Sequence, residues 1–205
     1  GHFHVAHLST AGSADLVRQA KAKGLRVTAE VTPHHLTLSE EWVLGTHGVI
    51  EADAPVTSAA YETRAKMSPP LRSLSDQAAL IDALRDGTID AIATDHAPHT
   101  FGDKATPFDE AANGISVLET AFGSLMGLVH AGELDLPTLA HRMAAGPASV
   151  LGERFAELAT LAEGTPADLV LFDPDEEWVV DAASFASTGK NTPLDGQTLK
   201  GRVKM

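Results

Sequence analysis

Ile89-Asp90-Ala91-Ile92-Ala93-Thr94-Asp95-His96-Ala97-Pro98-His99 decides how the chain is read. Its first part is apolar and β-prone, with one acid, Asp90, near the start. It ends abruptly in an aspartate, two histidines and a proline. A near-continuous apolar run of this kind is the pattern of a buried parallel strand. A carboxylate and imidazoles just past its C-terminal end suit proton transfer, metal ligation or both. The competing reading is a strand followed by a polar turn with Asp95 as a helix N-cap, so the rest of the chain has to decide.

Outward from this stretch, strand and helix patterns alternate. Upstream, Ser75 to Arg85 predicts a helix capped by Ser75, with Ala79, Leu80, Ala83 and Leu84 as its apolar stripe and Asp86-Gly87 as its end. Near the start, His2 to Leu8 reads as a short strand ending at His7. Ser9 to Ser13 reads as a capping turn, and Ala14 to Lys23 as a helix carrying Leu16, Val17 and Ala20, closed by Gly24. Leu25 to Thr32 is the next strand, stopped by Pro33 and followed by His34-His35. Right-handed crossover makes these two strands parallel neighbours.

Ser39 to Trp42 opens a short helix, and Gly45 to Ala60 reads as a long loop. Lys66 to Arg72 is extended, because its paired prolines fix φ. Downstream, Gly114 to His130 predicts an apolar helix burying Val117, Leu118, Ala121, Leu125 and Leu128. Leu136 to Ala145 predicts another, entered through Pro137, and Pro147 to Leu151 begins a further one. This alternation is that of a (β/α) barrel or an open α/β sheet. After residue 160 the texture changes. Leu169 to Phe172 and Glu177 to Val180 read as short strands around an acidic turn at Asp173 to Asp175. The expectation is therefore barrel over residues 1–160 and a small β module over 161–205.

Composition excludes some functions. The net charge of −13 argues against nucleic-acid binding, and 43% apolar residues are ample for a packed core. With no cysteine, a transition metal must be held by histidines and carboxylates. No apolar run is long enough for a bilayer, and a cytoplasmic enzyme is expected. Gly1 to His7 reads as a strand entered without its lead-in, and Gly201 to Met205 as a strand just begun, so a fragment at both ends is expected. In a parallel sheet His7, His34-His35 and Asp95 with His96 and His99 all reach one face. That set suits Zn²⁺ in a hydrolytic site.

Four segments sharpen this: His7-Leu8-Ser9-Thr10, Val31-Thr32-Pro33-His34-His35, Ser68-Pro69-Pro70-Leu71-Arg72 and Ala93-Thr94-Asp95-His96-Ala97-Pro98-His99. Their order and spacing resemble bacterial type I dihydroorotase, of the amidohydrolase superfamily. Gly164 to Leu169 and Lys190-Asn191-Thr192-Pro193 are similar to that family's C-terminal segment. The resemblance covers nearly the whole chain and corresponds to the family's C-terminal half. It implies part of a (β/α)8 barrel with part of a β-sandwich module. The implied activity is zinc-dependent cyclisation of N-carbamoyl-L-aspartate to dihydroorotate, reversibly, in pyrimidine synthesis.

By the resemblance His7 is a zinc ligand, and Asp95 is both zinc ligand and catalytic proton shuttle. Ser68, His99 and the Asn113-Gly114 backbone contact substrate. Ser68 departs from the family's usual Asn, and Asn113 stands where a bulkier apolar residue is common. Ile50 to Glu62 looks like extra loop length. The family's His-x-His pair, its neighbouring Arg, a bridging carboxylate and a further zinc histidine fall upstream of Gly1, so this chain by itself is not expected to assemble a working metal centre. The implied partners are small-molecule substrate, a second copy in a homodimer, or aspartate transcarbamoylase. The competing readings are another cyclic-amide hydrolase (allantoinase or dihydropyrimidinase) and an inactive dihydroorotase-like partner of the transcarbamoylase. His34 or His35 is expected to support the site, His96 to brace its loop, and His130 and His141 to be surface or packing residues.

Overall fold

The structure, a computed structural model, describes residues 1–47 and 60–205. Most of the expected long loop from Gly45 to Ala60, and of the extra length from Ile50 to Glu62, lies outside the described residues. Three parallel strands form one sheet: β1 (Phe3–Val5), β2 (Val27–Val31) and β3 (Ala91–Ile92), with β2 in the middle. Phe3 pairs with Val27 and Val31 with Ile92, so the strands end on the same edge, as the crossover argument requires. β3 is shorter than the predicted Ile89 to Thr94. Its flanks continue the alignment through Asp90 N to Ala29 O, 2.9 Å, and Ala93 N to Val31 O, 3.0 Å.

Helices cover one face of this sheet. α1 (Ala11–Ala22) starts at a capping box in which Thr10 and Ser13 exchange bonds, and Gly24 follows its end at φ 73°. Val17 is buried as expected, together with Ala14 one turn before it, whereas Leu16 falls on the solvent side and is exposed. α2 (Pro33–Thr37) is an addition. Pro33 does not break the chain but starts a helix at N1, with Thr32 accepting from His35 N. α3 (Glu41–Leu44) follows. α4 (Leu74–Arg85) is capped by Ser73, not Ser75, since Ser73 Oγ accepts from Asp76 N at 3.2 Å. Leu80, Ile81, Ala83 and Leu84 of α4 join Ala29, Val31 and Ile89 in the main core. Asp90, the lone acid of the opening stretch, accepts Lys21 Nζ on both oxygens at 2.7 and 2.8 Å and Ala29 N at 2.8 Å. That satisfies a carboxylate which would be costly half-buried and alone.

Beyond β3 come α5 (Phe101–Lys104), α6 (Ala121–His130), α7 (Leu136–Met143) and α8 (Ala145–Leu151). The predicted helix from Gly114 begins only at Ala121. Residues 114–120 are drawn instead into loop pairing: Ile115 bridges His96, and Ser116 N donates to Asn191 O at 3.0 Å. Leu118 is consequently exposed. α8 lies so close to β3 that a Cβ on Gly146 would stand 2.2 Å from Asp90 O.

The two predicted C-terminal strands are one. β4 (Phe172–Val179) runs through the acidic segment and pairs antiparallel with β5 (Thr198–Val203). Its register shifts between Asp173 and Glu177 around Pro174, which has no N–H to give the ladder. The expected turn survives only as a local kink inside the strand, where Asp173 Oδ1 accepts from Asp175 N and Glu176 N at 2.9 and 3.1 Å, while the acids form cross-strand pairs, Asp175 with Lys200 at 2.9 Å and Glu176 with Arg202 at 3.0 Å. Leu169, Val170 and Leu171, expected in a strand, lie before β4 and are exposed. This ribbon packs on α6, with His130 Nε2 bonding Pro174 O at 2.9 Å. A second core, holding Met67, Leu71, Ile115, Val117, Val180, Phe185 and Leu194, joins residues from both sides of position 160. No helix among the described residues is long and apolar enough to cross a membrane.

Two stability measurements follow. Gly146→Ala forces its new methyl into the Asp90 carbonyl and is expected to cost about 1–3 kcal/mol in urea unfolding, as overpacking does; unchanged stability would contradict the close approach. Lys21→Met removes the cation from Asp90 and leaves it only the Ala29 N–H, which is expected to cost about 1–3 kcal/mol, against little effect from exposed Lys23→Met.

Candidate active site

Three chain segments leave the sheet at its C-terminal edge and carry the site. His7 follows β1, α2 follows β2, and Asp95 to His99 follows β3. His7 and Asp95 both take left-handed backbone, φ 56° and 46°, which residues with a Cβ rarely adopt. Such conformations cluster where a side chain has to be aimed. Here they bring His7 Nε2 to 3.7 Å from Asp95 Oδ1. Two donors on one tetrahedral zinc are separated by about 3.4 Å at ordinary bond lengths. Nitrogen and carboxylate oxygen are also the donor types this ion takes when no thiolate exists. The pair therefore fits a metal, as two of its ligands. Among the described residues no group of three or more His, Cys, Asp or Glu could hold an ion.

Glu30, which the motif reading did not single out, lies behind His7. Its Oε1 is 3.0 Å from His7 Nδ1, at an angle outside hydrogen-bond geometry, and its Oε2 is 3.1 Å from His4 Nε2. The signal was present in the alternation of β2. Ala29 and Val31 are buried against the helices, so Thr28 and Glu30 face the other side, where His4 stands across the register from Thr28. His4 Nδ1 meets Thr28 Oγ1 at 2.8 Å.

The histidine pair divides its roles. His35 Nε2 bonds Pro69 O at 3.0 Å, and its Nδ1 meets Thr32 Oγ1 at 2.7 Å. A carbonyl only accepts, so Nε2 carries the proton. This bond ties the Ser68-Pro69 segment to the end of β2. His34 is buried, and neither ring nitrogen has a hydrogen-bond partner among the described residues. Burial, then the neighbouring His35 and His7, hold its pKa well below the ordinary value. Burial also lowers His35, offset in part by the Pro69 and Pro70 carbonyls.

Two of the remaining sequence candidates, Asn113 and Gly114, meet His99. Its Nε2 donates to Asn113 O at 2.9 Å, and a Cβ on Gly114 would lie 3.1 Å from that nitrogen. Ser68 is exposed on a segment held from two sides, by His35 and by Gly114 N donating to Lys66 O at 3.0 Å. His96 braces the loop as expected, its Nδ1 accepting from Val117 N and Leu118 N at 3.0 and 3.2 Å. Buried Lys104 donates to Thr63 O and Ala112 O at 3.0 and 2.6 Å, and burial, with Lys66 nearby, pushes its amine down to about 8. Beside His99 opens a cavity of about 580 Å³ lined by Arg64, Lys104 and Lys190 with a single acid, Glu62. Arg64 pairs with Glu62 at 2.9 and 3.1 Å, so the excess positive charge of this wall comes from Lys104 and Lys190, in a chain of net charge −13. His130 and His141 are exposed, on α6 and α7.

The pH dependence of stability tests the burial of His34. The unfolded imidazole titrates near 6.5 and the folded one well below it. As pH falls below 6.5 the unfolded chain takes up a proton that the folded chain refuses. Stability is therefore full above that value and is lost on the way down to the folded pKa. Denaturation midpoints measured between about pH 7.5 and pH 5 are expected to fall, and His34→Phe to flatten the slope by up to about 1.4 kcal/mol per pH unit.

Residues 3–204 match the amidohydrolase family. A dihydroorotase of Thermoanaerobacter sp. (strain X514) is 49% identical over 202 residues, 98% of this chain and 42% of that protein. A dihydroorotase of Anaeromyxobacter dehalogenans (strain 2CP-1) is 48% identical over 98% of this chain and 43% of its own length. Among solved structures, the L-hydantoinase (dihydropyrimidinase) of Arthrobacter aurescens superposes with a TM-score of 0.81 at 29% identity, covering 97% of this chain and 42% of that one. The chain thus spans less than half the length of these relatives. Matched along nearly its entire length, and with the α/β architecture of barrel-type hydantoinases, the chain belongs to the amidohydrolase family.

Proposed function

We propose that this chain is the catalytic-aspartate part of a zinc-dependent dihydroorotase, acting in the cytoplasm in pyrimidine synthesis. Residues 1–160 would be the later part of its (β/α)8 barrel and 161–205 a segment of its β module. The observation that carries the reading is the convergence of His7 Nε2 and Asp95 Oδ1 at 3.7 Å, each on left-handed backbone at the sheet's C-terminal edge. The 49% identity to a dihydroorotase, against 29% to a hydantoinase, supports dihydroorotate over a hydantoin or dihydropyrimidine. The cationic cavity beside His99 supports an anionic substrate. Solved hydantoinases favour a second reading, hydrolysis of another cyclic amide, because their fold alone carries no substrate preference.

His7 and Asp95 would hold the zinc, with the remaining ligands supplied by the part of the relatives that this chain does not span. Bound there, the metal supplies Lewis-acid polarisation of water and of the amide carbonyl. The other steps belong to the chain's own residues. To offer its Nε2 lone pair, His7 keeps its proton on Nδ1, beside the Glu30 carboxylate. Asp95 accepts the proton of the attacking water and returns it to the leaving ring nitrogen, and in the cyclisation direction it runs the same transfer backwards. Ser68 Oγ offers a hydrogen bond to the substrate's oxygens, and His99, whose Nε2 proton is held by Asn113 O at 2.9 Å, would present its Nδ1 edge to the substrate. The Asn113-Gly114 backbone closes the other side. Serine at 68 reaches less far than asparagine and has one donor, so a weaker grip on substrate follows. A homodimer or a complex with aspartate transcarbamoylase is the assembly this reading carries.

Two measurements test it. In the complete zinc-loaded enzyme, Asp95→Ala is expected to lower kcat for dihydroorotate hydrolysis by at least about 100-fold; activity near wild type would sink the mechanism. The 205-residue chain alone is expected to bind zinc weakly, in equilibrium dialysis, and to lose that binding in His7→Ala. Tight stoichiometric zinc in the isolated chain would show that its ligands lie elsewhere.

A further inference from the structure

Asn191 is buried, 5% exposed, and comes from a segment 92 residues beyond His99 in the chain. Its carboxamide makes three hydrogen bonds. Oδ1 accepts from His99 N at 2.7 Å, and Nδ2 donates to Ala97 O at 3.1 Å and Gly114 O at 3.0 Å. The partners settle which end is which, since a backbone N–H only donates and carbonyls only accept. One planar group thus joins the backbone on both sides of the proposed substrate contacts, His99 and Gly114.

The surrounding segment is shaped to the same end. Asn191 O accepts Ser116 N at 3.0 Å, and Ser116 Oγ donates to Gly189 O at 2.9 Å. Gly189 presses directly on the loop: a Cβ there would stand 2.6 Å from His99 N and 2.7 Å from His99 O. Gly114 is equally confined, at φ 138° with a Cβ position 2.5 Å from Ala97 Cβ. Neither strand nor helix holds residues 97–99 and 113–114, so Asn191 adds to the two bonds that join them directly, His99 Nε2 to Asn113 O at 2.9 Å and Ala97 N to Ile115 O at 3.0 Å. Only a carboxamide of this length gives one acceptor and two donors in that plane. Aspartate keeps the acceptor and turns a carboxylate oxygen on two carbonyls, and alanine keeps nothing.

We propose that Asn191 is a positioning residue for substrate binding: its carboxamide locks the His99 and Gly114 loops into one ledge at the spacing the substrate requires. The proposal rests on the dihydroorotase reading above. Contacts from this ledge act on substrate and transition state alike, so loosening it raises KM and spares kcat. A purely structural asparagine would lower stability without that split.

The test uses the complete zinc-loaded enzyme with Asn191→Ala, Asn191→Asp and, as a buried control in α4 of the main core, Ile81→Val. Steady-state kinetics on dihydroorotate, zinc content and thermal midpoint are measured for each. The expected result is a KM raised about tenfold or more in both Asn191 variants, with kcat within about threefold and zinc unchanged. Ile81→Val is expected to lower the thermal midpoint while keeping the wild-type KM. Asn191→Asp preserves shape and serves if Asn191→Ala does not fold. A wild-type KM in the folded Asn191 variants, an equal KM rise in Ile81→Val, or loss of zinc in the Asn191 variants would overturn the proposal alone. A wild-type enzyme that does not turn over dihydroorotate would overturn the functional reading and this proposal with it.

Discussion

The parallel pairing of β2 with both neighbours is the constraint on which everything else rests. Glu30 O accepts Leu8 N on one side, at 2.9 Å, while Ala29 O and Val31 O accept Asp90 N and Ala93 N on the other. Alternate residues of one five-residue strand thus set the register of β1 and β3. The same alternation divides its side chains. Ala29 and Val31 pack beneath the helices, and Thr28 and Glu30 face the histidines of β1. A slip by one residue would exchange the two faces, placing Glu30 in the hydrophobic core. The cost of burying that charge protects the register, and the register delivers His7 and Asp95 to the same edge.

At that edge regular structure gives way to strain and to loops, each held from elsewhere. Left-handed backbone at a residue with a Cβ costs on the order of 1–3 kcal/mol, so it persists only when its surroundings over-determine it. His7 is bounded by Leu8 N on the Glu30 carbonyl, and Asp95 by Ala93 N on Val31 O and by His96 in its bridge to Ile115. The loops beyond are cross-tied by buried polar groups: His35 to Pro69, Lys104 to Thr63 and Ala112, Asn191 to Ala97, His99 and Gly114. Each satisfies buried backbone groups that no ladder reaches. Polar burial thus does for the site what apolar burial does for the sheet, and it fixes angles more tightly because hydrogen bonds are directional.

Much of this was legible along the chain. The apolar run ending in Asp95-His96-Ala97-Pro98-His99 announced a parallel strand with chemistry at its end, and the β-turn-α-turn-β reading of the first thirty-odd residues matches β1, α1 and β2. The errors have a common physical cause. Where long-range pairing competes with local pattern, pairing wins. Residues 114–120 carry a helical apolar spacing, yet Asn191 O and His96 recruit their backbone, and the helix waits until Ala121. Pro174 and its flanking acids suggest a turn, yet Lys200 and Arg202 on the partner strand neutralise the acids and the strand runs through. Lys190-Asn191-Thr192-Pro193 offered no local sign of what Asn191 touches, because its partners lie about 77 to 94 residues earlier.

By itself the sequence determined the elements and the kind of chemistry: parallel strands with apolar interiors, and imidazole and carboxylate donors at their ends in a chain without thiolates. Those follow from residue type and from periods of two and 3.6, which are local properties. Only the tertiary structure decided which groups meet: His7 with Asp95, Glu30 behind His7, Asn191 under His99 and Gly114. Such meetings depend on register, on two left-handed residues and on loop closure over many tens of positions. No local rule encodes these, because their free energy is gained only when distant parts of the chain pack together.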